Sequence, residues 1–335
     1  MHRLPSIHVF ALALLLGCAC TAGAQSTSER AASILIFPKI IADNSADTIV
    51  QLSNASGSRV NVFCSYVDGS QGWAVSSFSL VLQPAQPLLW TAARGRSASQ
   101  DGTVAAVPAA PAGLRGELLC VAVDIGGAPT GDNRLRGHAT VVTLADGDVA
   151  GYAAVGLRGA GFNDGDEVLC VGGEPSDSCF TGAEYDACPA EWIITHPADG
   201  AADEQLGPAS ALTTRLAIAP CSQNVRDAQP ATVRIDFTST NAFEQHFSAM
   251  ADVTCWADLS LADVGGGVLT ADLLGSDYAT TTLRPAAGQG GFVLVAEVER
   301  HAAAGGPVVS RAALNPHRLG AANASDVITL PMGRP

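Results

Sequence analysis

Residues 59–67 read RVNVFCSYV. Val60, Val62, Cys64 and Tyr66 fall on one side of an extended chain, with Asn61 and Ser65 on the other. That period of two belongs to a half-buried antiparallel strand. TVRIDF at 232–237 repeats the pattern, with Val233, Ile235 and Phe237 inward. ELLCVAV at 117–123 and FVLVAEV at 292–298 are nearly continuous apolar runs, as strands buried on both faces would be. Between such segments lie VDGSQG, PAAPAG, DIGGAPTGDN and DVGGG, which are turn chemistry. No long stretch carries the period of an amphipathic helix, so the expected fold class is all-β.

The two halves of the chain parallel each other. ILIFPK at 34–39 matches LAIAPC at 216–221, aligning Pro38 with Pro220, and DTIVQLSN at 47–54 matches ATVRIDFT at 231–238. NVFC ending at Cys64 matches DVTC ending at Cys255; RGELLCVAV at 115–123 matches GGFVLVAEV at 290–298, with Val295 where Cys120 stands. Order-preserving self-similarity is the mark of duplicated units. Each unit holds about seven short strands, the rhythm of an immunoglobulin-like β-sandwich. The expected organisation is a signal peptide at 1–24, one sandwich at 30–160, an acidic Cys-rich connector at 161–211 and a second sandwich at 212–332. EWIITH at 191–196 is the connector's strand and could complete either sandwich. Pro38 and Pro220 each remove a ladder donor, so both first strands are expected to bend or cross between sheets at an edge.

The first residues, MHRLPSIHVFALALLLGCACTAGAQ, set a basic residue before a short apolar run and then small residues, the layout of a secretory signal. Ala22-Gly23-Ala24 offers ordinary cleavage before Gln25, whereas Leu15-Leu16-Gly17-Cys18 resembles a bacterial lipobox that would place a lipid anchor on Cys18. No later stretch approaches the ~20 apolar residues of a spanning helix. The expected location is therefore periplasmic, cell-surface or secreted. Export suits the nine cysteines, of which seven follow Gln25. Core-facing positions suggest an inter-sheet bridge between Cys64 and Cys120, the absence of a Cys at 295 points Cys255 to Cys221, and Cys170 with Cys179 would close a small loop. Cys188 is left as the odd one.

ILIFPKIIADNSADTIVQLSN (34–54), YDACPAEWIITHPADGA (185–201), LAIAPCSQNV (216–225) and NAFEQHFSAMADVTCW (241–256) resemble a family of exported bacterial β-rich proteins of unknown function. The resemblance spans most of the chain after the signal. It implies an exported β-rich architecture and brings no activity, substrate or catalytic residue with it.

The chain has 335 residues, a formal net charge of −14, 47% hydrophobic and 15% charged residues. So apolar a composition excludes a disordered acidic tail. The acidic balance excludes nucleic acid as a partner held by electrostatics. Lys39 is the only lysine beside many arginines and alanines, a bias that suits a GC-rich bacterial genome.

Catalytic signatures are sparse. There is no G-x-S-x-G elbow, S-x-x-K or catalytic-Cys pattern, no H-E-x-x-H and no C-x-x-C knuckle. The histidines beyond the signal are His138, His196, His246, His301 and His317. Glu244 and His246 lie two apart in a strand-like run and would share a face. Acidic turns at Asp43-Asn44 with Asp47, at Asp146 with Asp148, and at Asp164, Asp166 and Glu167 are candidate Ca2+ ligands, the last group first; turn-forming Asp and Asn account for them more simply. Trp73, Trp90 and Trp256 could serve as glycan platforms, with Trp256 turned outward by alternation after Cys255. The expected function is a non-enzymatic envelope or extracellular interaction module with a protein or glycan partner. A hydrolase or metal-assisted enzyme with an inter-domain site, and a self-assembling surface subunit, are the alternatives.

Overall fold

Almost every regular element is a strand. The computed structural model describes residues 30–331 apart from 70–72, 101–103, 146, 175, 177 and 320–324; the signal segment with Cys18 lies outside the described residues, as does Asp146. In the first half, β1 (Ile34–Ala42), β2 (Ala46–Asn54), β3 (Val60–Asp68), β4 (Val75–Leu82), β5 (Pro87–Thr91), β6 (Leu114–Val123), β7 (Leu135–Thr143), β8 (Val149–Ala153) and β9 (Val155–Leu157) form one sheet. Its order is β4-β3-β6-β1-β2-β7-β8, with β5 paired to β2 and β9 to β1. The joint between β1 and β2 is a single pair, Ala42 with Asp47, and the sheet folds into two leaves there. Val62, Cys64 and Leu118 of one leaf meet Val50, Leu52, Leu88, Trp90 and Ala139 of the other in one core.

The rest of the chain contributes β10 (Val168–Val171), β11 (Glu191–Pro197), β12 (Ala211–Pro220), β13 (Gln223–Asn224), β14 (Thr232–Asn241), β15 (His246–Thr254), β16 (Ala257–Ser260), β17 (Tyr278–Pro285), β18 (Phe292–His301), β19 (Val308–Ala313), β20 (His317–Leu319) and β21 (Asp326–Thr329). They form a five-stranded sheet β15-β14-β17-β11-β20, a four-stranded sheet β16-β12-β18-β19 and a small sheet β10-β21-β13. Helix is confined to a 3-10 turn at Leu261–Gly266 and one short α1, Ala271–Leu274. None of the helices is long and apolar enough to cross a membrane among the described residues.

The paralleled segments share a register at their hearts. Ile36 faces Leu119 across β1 and β6, and Ile218 faces Leu294 across β12 and β18, four positions the sequence comparison places in correspondence. Elsewhere the halves diverge. β3 lies beside β6, whereas β15, its counterpart, lies beside β14. The connector strand β11 is inserted into the second half's five-stranded sheet.

The halves also share an interior. β1 is buried on both faces: Leu35 and Phe37 enter the first half's core, while Ile34 and Ile36 enter a second core with Leu119, Val121, Leu216, Ile218, Phe237 and Leu294. At Pro38 and Lys39 the pairing of β1 with β6 slips into a bulge, since proline offers no ladder donor. The bend expected at Pro38 is thus present, but β1 is an inner strand rather than an edge. Pro220 instead closes β12.

Three disulfides form, the chemistry of an oxidising compartment. Cys64 bonds Cys120, and the two face each other on adjacent strands, so the bridge runs within one leaf rather than between sheets. Cys170 bonds Cys179. The third pairing differs from the sequence expectation: Cys221 bonds Cys188, and Cys255 is a buried free thiol. The reason is the placement of β11, which brings the residues just before it alongside the end of β12; the Phe292 amide bonds the Pro189 carbonyl there. Trp256 also departs from expectation. Cys255 adopts a left-handed φ of 67°, which breaks the alternation and turns the indole inward, where Nε1 donates to the Pro38 carbonyl at 2.7 Å. Gly69 makes room for it, because a Cβ at that position would lie 2.3 Å from the Trp256 Cβ.

Candidate functional site

The outer face of the β3–β4 hairpin carries an open apolar cavity. β4 alternates Phe78, Leu80 and Leu82 into the first half's core with Ser77, Ser79 and Val81 outward. Asn61 faces Val81 and Phe63 faces Ser79 across the hairpin, and Val123 faces Asn61 from β6. Nearer the centre of this leaf the second half covers the same face. At its corner, where Leu330 and Pro331 line one side, lies a cavity of about 360 Å3. Its walls are mainly Phe63, Val81, Val123, Ile125, Pro129 and Leu330, with Arg59, Asn61 and Asp124 as polar groups. That size is at the small end of the roughly 300–1,000 Å3 of ligand pockets.

Each wall is set by local chemistry. Asp124 folds the loop after β6 by accepting the amides of Gly126 and Ala128 at 2.7 and 2.9 Å, and Gly127 supplies the left-handed turn at φ 89°. The loop holds Ile125 out, 81% exposed. Leu330 is fixed by its amide donating to the Glu167 carbonyl. β4 is the end strand of its sheet and, among the described residues, pairs only with β3, so alternate backbone groups face away from the ladder.

Two enclosed polar clusters lie between the halves. In the first, Lys39 Nζ sits 2.7 Å from Glu297 Oε2 and 3.7 Å from Asp258 Oδ2, while Arg215 Nε binds Asp258 Oδ1 at 3.1 Å. The Tyr152 hydroxyl donates to the Lys39 carbonyl. In the second, Gln223 Nε2 donates to Glu117 Oε1, and burial pushes the Glu117 carboxyl up to about 8. The Cys255 thiol nearby is pushed up to about 12, first by burial and then by the charges of Glu117 and Asp68.

The structure scatters the candidates named from sequence. Asp43 binds the amides of Ser45 and Ala46 and the Arg115 guanidinium, and its carboxyl is lowered to about 2; burial opposes that shift, and the hydrogen bonds from Ser45, Ala46 and Arg115 outweigh it. Asp47 caps Thr48 and Ala93. Asp164 and Asp166 each accept an amide two residues on, and Glu167 pairs with Arg226. Asp148 accepts the Arg311 amide. Among the described residues no group of three or more His, Cys, Asp or Glu side chains is placed to hold a metal ion. Glu244 sits in a left-handed turn, not a strand, and exposed His246 bonds Thr240, so the pair does not form a shared strand face.

Trp73, Trp90 and Trp256 are all buried, which removes them as exposed platforms. His196 comes nearest to a nucleophile–base arrangement: Nδ1 donates to the Pro197 carbonyl, and Nε2 accepts from Thr281, which bonds Ser239. All three side chains are buried, and burial lowers the His196 pKa, so the group serves as a satisfied core network. The residues that sequence reasoning missed are Lys39, Glu117 and the cavity-lining residues Val81 and Ile125. The signal for Lys39 was present, as a lone cation inside the apolar run ILIFPKIIA.

No family model matches the chain. No curated protein matches it either. Among solved structures, the crystal structure of Thermotoga maritima 1070 aligns over 38% of this chain and 95% of its own, at 8% identity and a TM-score of 0.26. A likeness that slight carries no argument about activity.

Proposed function

We propose that this protein is an exported, non-enzymatic interaction module, built from two immunoglobulin-like halves joined by a disulfide-stapled connector, that captures an extended segment of a partner protein. The observation that carries the reading is the apolar cavity of about 360 Å3 on the outer face of β4, β3 and β6, in a sheet that has β4 as its end strand. An added strand would bond the free β4 backbone groups and set an apolar side chain into the space between Val81, Ile125 and Leu330. The net charge of −14 disfavours an acidic segment, so the fitting partner is neutral or basic with alternating apolar residues. The polar clusters between the halves are closed to a substrate, which weighs against an inter-domain enzyme site.

A display library of random ten-residue peptides, panned on the protein, tests this. Enriched sequences should alternate apolar and polar residues, and Val81→Asp or Ile125→Asp should weaken their binding at least tenfold while leaving the melting temperature nearly unchanged. Enrichment that is indifferent to both substitutions would sink the proposal.

A further inference from the structure

Lys39 is the chain's single lysine, and it is buried in the β1 bulge. Taking an ammonium out of water requires a partner, and one carboxylate suffices for charge. The site holds more than that. Glu297, on β18, is 1% exposed and contacts Nζ through Oε2, while its Oε1 has no hydrogen-bond partner. Asp258, on β16, turns Oδ2 toward Nζ at 3.7 Å, while Arg215 grips its Oδ1 at 3.1 Å and its backbone carbonyl at 3.0 Å. An amine, a carboxyl held by a cation, and a second carboxylate touching the amine are the parts of a condensation, enclosed away from bulk water.

We propose that Lys39 and Asp258 join as an intramolecular amide that covalently ties β1 to β16 across the two halves. Lys39 gives up a proton to Glu297, and the neutral Nζ attacks Cγ of Asp258. Arg215 beside Oδ1 stabilises the negative charge that gathers there. The bond from Cγ to Oδ2 then breaks. Glu297 passes protons from nitrogen to Oδ2, which departs as water. Ammonium and carboxylate become one amide and one water, Glu297 ends as it began, and no oxidant, reductant or cofactor is consumed. The fold supplies the rate by holding the amine against the carboxyl it attacks, with Nζ 3.7 Å from Oδ2, so that the two meet without a diffusive search. The side-chain exposures of 5% for Lys39 and 1% for Glu297 shield the product from hydrolysis.

Tryptic digestion of the reduced, fully denatured protein decides the matter. The bond would protect Lys39 from trypsin and yield a branched peptide joining residues 31–59 to residues 235–300, one water lighter than the sum of its arms. That species should dominate in the wild-type protein and vanish in Lys39→Arg and in Glu297→Gln. Linear peptides 31–39 and 40–59 from the wild-type protein would overturn the proposal, whatever the variants do. A branched peptide persisting in Glu297→Gln would overturn the role given to Glu297.

Discussion

Glu117 offers a sharp test of how the halves are joined. It is fully buried on β6, and its Oε1 accepts from Gln223 of β13, while its Oε2 and Gln223 Oε1 lack partners. Protonation resolves both orphans, because Oε2–H can donate to Gln223 Oε1 and close a two-bond ring. Burial is opposed only in part by the hydrogen bond from Gln223, and the Cys255 thiol lies close enough to feel the Glu117 charge. Burial raises the carboxyl from 4.5 to about 8. A native state that holds the proton more tightly than the unfolded chain is favoured fully below pH 4.5 and loses stability as pH climbs to 8. At about 1.4 kcal/mol per unit, the loss is about 3 kcal/mol at pH 7 and about 5 kcal/mol above pH 8. Glu117→Gln keeps the shape and both hydrogen bonds without a titrating proton. Urea unfolding under non-reducing conditions at pH 5, 7 and 9 should show the variant within about 1 kcal/mol of wild type at pH 5, and more stable by about 3 and 5 kcal/mol at the higher values. A difference between the two proteins that is the same at all three pH values would falsify the buried neutral acid.

Two further outcomes follow from the cysteines. Replacing Cys64 and Cys120 by Ser removes a bridge spanning 56 residues and should cost about 4 kcal/mol in urea unfolding; a loss below about 1 kcal/mol would show that the paired strands hold that register unaided. Cys255, buried with its thiol raised to about 12, should resist a maleimide at pH 7 in the native protein and react once the chain is unfolded. Rapid native labelling at Cys255 would contradict its burial.

The strands were legible because alternation records burial directly: 60–67 and 232–237 lie within β3 and β14, with the anticipated residues inward. The Cys64–Cys120 partnership was legible for the same reason, since both positions face the core, and Cys170–Cys179 because the two lie nine residues apart. What could not be read were features set by long-range pairing. The second half's sheet accepts β11 into its middle, and that placement, invisible in local sequence, chose Cys188 as the partner of Cys221. One residue in a left-handed turn, Cys255, was enough to reverse the facing of Trp256. The corner cavity was equally hidden, because its walls come from β3, β4, the loop after β6 and Leu330, which only the long-range packing brings together.

The common interior has a bearing on how the molecule comes into being. Ile34, Ile36 and Val121 share a core with Ile328 and Leu330, made about 200 residues or more later. The N-terminal half therefore cannot finish drying its outer face while the C-terminal strands are still unsynthesised. Nearly the whole chain must be delivered before that surface is sealed, and a nascent or truncated form will present a sticky flank of β1 and β6 to chaperones and to its own copies. For the same reason neither half can be lifted out as a portable building block, however closely segments of one parallel segments of the other.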